Sequence, residues 1–289
     1  MQNIRVKSSI VCIAIVTLLF FNSCIAAKDN VTDAEKTASE VYSITWNWGI
    51  DAIKYEICNM TNIRIGVIDS ANYYQDSHVT NYSVYEYEHD TTHHGSFIVS
   101  ALCSMLPGAE FISINVADKT GFISNDALSK GIAYAVDQKC QIISISMGTQ
   151  IDYNDVRDEI LKARQSGCII VAAAGNGSQT QLDYPANYDG VISVLSRNID
   201  NIDDSTNNVS LDKKSFSAPG SIVYNDCYIF EGSSIATIYV TVEVAYIINY
   251  FSDVTYQDIC SILEKSCIFS TQYSYGMINH QLVQKNLIE

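Results

Sequence analysis

The chain has 289 residues, 47% of them hydrophobic and 17% charged, the composition of a folded globular protein rather than a disordered one. That length suffices for one domain with a sizeable core, or at most two small ones. A formal net charge of −15 argues against nucleic-acid binding, which needs clustered Lys and Arg, while remaining compatible with calcium, secretion or basic substrates.

The N-terminus is expected to be an export signal over residues 1–27. Arg5 and Lys7 precede an apolar run over 10–21, short for a permanent membrane span. Two processing sites compete. Phe21-Asn22-Ser23-Cys24 loosely resembles a lipobox, which would anchor the protein to the membrane through a lipid on Cys24, although Phe21 and Asn22 fit that pattern poorly. Ile25-Ala26-Ala27 offers small residues for ordinary cleavage. The lipoprotein reading is preferred, and either outcome places the protein outside the cytoplasm, at the cell surface or secreted.

Of the nine cysteines, Cys12 and Cys24 fall in this signal. The others, Cys58, Cys103, Cys140, Cys168, Cys227, Cys260 and Cys267, are odd in number and form no Cys-x-x-Cys pair. They read as small core residues, not as a dense disulfide framework.

Residues 28–45 are polar and suit a spacer, and the compact domain is expected over 46–289. Within it, β-rich runs alternate with helical ones. A strand over 62–68 ends at Asp69, and a polar stretch leads to an apolar helix over 95–106. A strand over 110–116 and a helix over 125–138, with Ser124 as N-cap, follow. Then come a strand over 140–146, an amphipathic helix over 154–166 closed by Gly167, and strands over 168–174 and 191–195. This alternation predicts a single α/β domain with a mainly parallel central sheet and helices on both faces.

In such sheets functional groups gather at the carboxyl ends of the strands. Those ends carry Asp69, Ser146-Met147-Gly148 and Ala174-Gly175-Asn176-Gly177. Farther on, Glu231-Gly232-Ser233-Ser234-Ile235-Ala236 leads into an apolar run over 238–251 that fits a buried helix. A serine in the first turn of that helix meets free backbone N–H groups, a good place to attack a carbonyl, although the local pattern equally suits a plain helix cap.

Together the motifs resemble those of the subtilisin-like serine proteases, the subtilases. Val67-Ile68-Asp69-Ser70 resembles the strand bearing the catalytic aspartate, and His94-Gly95-Ser96 the opening of the histidine helix. Ala174-Gly175-Asn176 resembles the strand end with the oxyanion asparagine. Ser217-Ala218-Pro219-Gly220 resembles the turn before the nucleophile loop, and Gly232-Ser233-Ser234-Ile235-Ala236 the nucleophile motif. Tyr184-Pro185-Ala186 and Tyr275-Gly276-Met277-Ile278-Asn279 add weaker matches.

The resemblance implies a serine endopeptidase with a subtilisin-like fold and a peptide or protein substrate. Ser234 would be the nucleophile, His94 its base, Asp69 the group that orients the imidazole, and Asn176 an oxyanion donor. It also implies that Asp183, just before Tyr184-Pro185, lies at the S1 floor, where a carboxylate favours Lys or Arg at P1. Ser146-Met147-Gly148 would offer backbone groups to an extended substrate.

No cofactor is needed for this chemistry. Structural calcium is compatible with the acidic loops, but no Asp-x-Asp-x-Asp-Gly loop specifies a site. A monomer is expected, folding without a large cleaved prosegment.

Two rival readings stand beside this one. A metal cluster of His89, His93 and His94 leaves Ser234 and Asn176 without a role. A catalytically degenerate, surface-binding protein on the same scaffold is the second. The departures from the family pattern are Ser96 and Ser233 in place of threonines, Ala71 where glycine often follows the aspartate, and Ile238 in place of a proline. The interval from Asp69 to His94 is also short.

Overall fold

The structure, a computed structural model, describes residues 48–57, 59–85, 93–224, 228–251 and 253–288. The expected signal with Cys24, the spacer, His89, Cys58 and Cys227 lie outside the described residues. The β-branched runs form a nine-stranded sheet in the order β10-β11-β7-β6-β5-β4-β1-β3-β2. At its centre, β1 (Arg64–Asp69) pairs in parallel with β3 (Glu110–Asn115) on one side and β4 (Ile142–Ile145) on the other. Parallel pairing continues through β5 (Ile169–Ala173), β6 (Val191–Arg197), β7 (Ser215–Pro219) and β11 (Ser274–Ile278). The edges are β2 (Val79–Ser83), parallel to β3, and β10 (Cys267–Ile268), antiparallel to β11.

The two-residue side-chain period of each strand splits the core in two. Ile65 and Val67 of β1, Ile142 of β4, and Ile169 and Val171 of β5 face one layer. That layer holds α2 (His94–Met105) and α5 (Ser233–Tyr250), with α1 (Trp48–Ile53), α6 (Tyr256–Lys265) and α7 (His280–Ile288) around them. Ile68, Ile143, Ile145, Ile170 and Ala172 face α3 (Asn125–Asp137) and α4 (Asn154–Gln165) on the other side. The expected fold class is therefore the observed one.

Several details differ from the sequence reading. The polar stretch after Asp69 contains β2, whose half-exposed edge position lets it form from Val-Thr-Asn-Tyr-Ser without an apolar run. Ser217, Ala218 and Pro219, read as a turn, complete β7. Pro219 is its last residue, and the next N–H, that of Gly220, donates to Arg197 O at 2.9 Å. A hairpin of β8 (Ser221–Tyr224) and β9 (Tyr228–Glu231) then leads into α5, which starts at Ser233 and so carries the serines in its first turn, as expected.

The chain passes from β1 to β3 on one side of the sheet, then crosses to β4 on the other. This change of direction opens a crevice beyond the carboxyl ends of β1 and β4, where Asp69 and Ser146 lie.

Candidate active site

Asp69 ends β1 with a side chain only 4% exposed, and its Oδ1 lies 2.8 Å from His94 Nδ1. The same oxygen accepts the Ser70 N–H at 2.7 Å. A carboxylate at Nδ1 holds the proton there and makes Nε2 the basic nitrogen. His94 is the first residue of α2, and the chain enters that helix through His93 at φ 57.

What lets the helix approach so closely is Gly95. A Cβ at this position would fall 2.2 Å from the Ser70 carbonyl oxygen, and the Gly95 N–H donates to Ser70 Oγ at 3.0 Å. A side chain here would lift the imidazole away from Asp69.

A second pair forms beside the first. Gly232, the residue before α5, has φ 121 and ψ −177, a backbone region essentially reserved for glycine. This puts the Ser233 N–H 2.9 Å from Asn176 Oδ1, while the Gly175 N–H donates to Ser233 Oγ at 3.1 Å. With its carbonyl tied down, Asn176 has its Nδ2 end left as a donor. The Ile235 and Ala236 N–H groups turn back to Gly232 O at 3.1 and 3.3 Å, which leaves the Ser234 N–H at the helix mouth.

The pairs meet through Phe230. Its ring stacks on Phe97 at 4.3 Å and lies 6.3 Å edge-on from the His94 ring, binding the lead-in to the nucleophile against the histidine helix. From below, Ser146 Oγ donates to Ser234 O at 3.3 Å. Ile238, at the position of the missing proline, is fully buried. It supplies the amide that a proline lacks, and α5 runs without interruption from Ser233 to Tyr250.

The expected substrate-side residues also converge. Gly148 is exposed next to half-buried Met147, and Thr149 and Tyr184 exchange two backbone hydrogen bonds at 2.9 and 2.7 Å. Asp183 is 2% exposed and wedged between Gly148 and Gly175. A Cβ at Gly148 would lie 2.6 Å from Asp183 Cβ, and one at Gly175 2.2 Å from Asp183 Oδ2. Burial pushes this carboxyl up from 3.8 to about 6, against hydrogen bonds from Gln150 and Asn208 that favour its charge.

Gln150 and Asn208 were not anticipated, nor were Ser70 and Phe230 as partners of His94 or its helix. Asn208 is fully buried and accepts the Gly177 and Gln179 N–H groups at 2.9 and 3.0 Å, which braces the loop that carries Asn176. No local sequence signal marks it, because its partners are some thirty residues away in the chain.

The rival histidine cluster gains no support. His93 is exposed, with its ring against Tyr73, while His94 is committed to Asp69. Among the described residues, no group of three or more His, Cys, Asp or Glu side chains could hold a metal ion. No helix among the described residues is long and apolar enough to cross a membrane. Cys103, Cys140, Cys168, Cys260 and Cys267 are free thiols, and burial pushes that of Cys140 up to about 12.

The profile of the subtilase family matches residues 51–282. The chain belongs to the subtilase family. It is 33% identical over 124 residues to thermitase of Thermoactinomyces vulgaris, a match covering 43% of this chain and only 41% of thermitase. It is 26% identical over 249 residues to subtilisin DY of Bacillus licheniformis, covering 75% of this chain and 89% of that one. Among solved structures, the prenylagaramide maturation protease PagA superposes with a TM-score of 0.67 at 18% identity, covering 78% of this subtilase and 93% of PagA. At that identity the likeness concerns the fold.

Proposed function

We propose that this subtilase is a serine endopeptidase that hydrolyses peptide bonds through an acyl-enzyme intermediate. The reading rests above all on the 2.8 Å contact between His94 Nδ1 and Asp69 Oδ1 at the carboxyl end of the central strand. His94 Nε2 takes the Ser234 proton as Oγ attacks the scissile carbonyl, and buried Asp69 stabilises the imidazolium that results. Asn176 Nδ2 and the Ser234 N–H receive the developing oxyanion. The imidazolium then protonates the leaving amine, and water repeats the sequence to release the acid.

A fluorophosphonate probe should label Ser234 in the native chain and leave Ser234→Ala and His94→Ala unlabelled. Labelling of Ser234→Ala would assign the nucleophile to another serine, and no labelling of the native chain would point instead to a degenerate binding protein.

The proposed substrate is a peptide or protein cut after Lys or Arg, with Asp183 between Gly148 and Gly175 as the supporting observation. A processing role, akin to the maturation that gives the PagA protease its name, accords with this. It would belong to a peptidase domain over 46–289 that acts as an extracytoplasmic monomer. Residues 1–27 would export it, with Cys24 as the candidate lipid anchor. Cofactors and nucleic acid have no part in the proposed reaction.

A further inference from the structure

Away from the reacting groups, three backbone carbonyls of one loop turn toward a single point. Ala186 O, Tyr188 O and Val191 O lie 2.6, 2.6 and 2.9 Å from Lys213 Nζ, one for each proton of the ammonium. Without that group, three inward-facing acceptors would repel one another and lose the charged donor they share. Three of the loop's N–H groups are already used within the loop: Asn187 donates to Asp183 O, Tyr188 to Pro185 O and Val191 to Tyr188 O.

Asp189, Arg164 and Cys260 are the titratable groups around the ammonium. Burial lowers its pKa to about 8 while the Asp189 carboxylate opposes the shift, so the charge is kept at neutral pH. The opening residues of this loop are those assigned above to the proposed P1 recognition. Asp183 donates its N–H to Ala174 O at 2.9 Å, and Tyr184 pairs with Thr149.

We propose that Lys213 is a positioning residue for substrate recognition: its ammonium is a tethered cation in a carbonyl cage that holds the 183–191 loop in place. The cage has the donor set of a site for a small monovalent cation, since carbonyl oxygens replace the hydration shell of such ions well. The covalent tether removes the need for a free ion. Asp69, His94 and Ser234 sit on β1, α2 and α5, outside this loop, so loosening it changes KM and leaves kcat nearly constant. That kinetic part rests on the proposed protease function, while the cage itself does not.

Lys213→Ala in the full chain empties the cage and leaves room for an ion. In choline chloride the variant should melt below the native chain, and its KM for a peptide with Lys at P1 should rise about tenfold, with kcat within about twofold. Potassium chloride at equal ionic strength should restore both values, while the native chain is indifferent to the exchange. Lys213→Met fills the space with an apolar side chain and should not be rescued.

An unchanged KM, a melting loss that potassium does not reverse, or equal rescue of Lys213→Met would each overturn the proposal. Should Lys213→Ala fail to fold in choline, recovery of its folded circular-dichroism signal on adding potassium carries the same meaning, and absence of recovery is a refutation. The melting data stand whether or not the chain cleaves a peptide, so failure of the cage and failure of the protease reading are separable.

Discussion

The two halves of the cleft are held by different means. On the proposed catalytic side, Asp69, His94, Asn176 and Ser234 sit at strand ends and helix N-termini, and the parts are brought together by glycines that let backbone meet backbone. On the recognition side, a loop is positioned by buried charge: Asp183 under Gly148 and Gly175 at its start, and the Lys213 ammonium in its carbonyl cage at its end. Reaction geometry thus rests on the rigid scaffold, where small displacements are expensive. The proposed specificity rests on a segment whose fixing groups lie outside the proposed reacting groups.

The sharpest test of the catalytic half is Asn176→Ala. Removing an oxyanion donor should lower kcat by about a hundredfold to a thousandfold with KM nearly unchanged. Because Asn176 Oδ1 also receives the Ser233 N–H, the labelling rate of Ser234 should fall too. Asn176→Asp offers a control: it keeps the carbonyl that anchors Ser233 but replaces the donor with a charge that repels the oxyanion, so its kcat should be no better. Recovery of activity in the Asp variant would mean that Asn176 only anchors α5.

Gly95→Ala probes the same half through the backbone alone. The new methyl, aimed at the Ser70 carbonyl, must push α2 outward and lengthen the contact between His94 and Asp69. A misplacement near 1 Å is worth about a hundredfold in kcat, measurable with a peptide ester or amide. A normal kcat with an intact fold would show that the helix finds another route to the same geometry.

These glycines also show what a sequence can reveal. Asp69, Ser146 and Asn176 were visible as strand-end residues because the apolar runs before them have strand length, and α3 announced itself through its cap, with Ser124 Oγ accepting the Ala127 N–H at 3.1 Å. β2 escaped notice because an edge strand needs no apolar run. The capping box of α6, in which Thr255 and Asp258 bond each other's backbone, was present in the sequence and overlooked. Asn208, Gln150 and Lys213 could not be read at all. Each acts on backbone or carboxylate groups more than twenty residues away, and periodicity says nothing about such partners.

The smallest effect, and the one most specific to the recognition half, is expected from Asp183→Asn. Gln150 is exposed and can turn its amide to meet the new NH2 group, so the fold should survive. With Lys and norleucine peptides compared at P1, the ratio of kcat/KM isolates the Asp183 charge, because protonation steps of the shared reaction affect both substrates alike. Burial has raised this carboxyl to about 6, so in the native chain the ratio should climb as pH rises through that value. In Asp183→Asn it should be flat and lower by about tenfold.

Stability should move the opposite way. Between 3.8 and about 6 the folded chain keeps a proton that the unfolded chain releases, so the native chain loses stability as pH rises across that window. The Asn variant should therefore melt above the native chain at pH 7, with the gap closing on acidification through about 6. A carboxylate that weakens the fold yet leaves the Lys-to-norleucine ratio independent of pH has no part in P1 recognition; one that weakens the fold and drives that ratio is retained for its substrate.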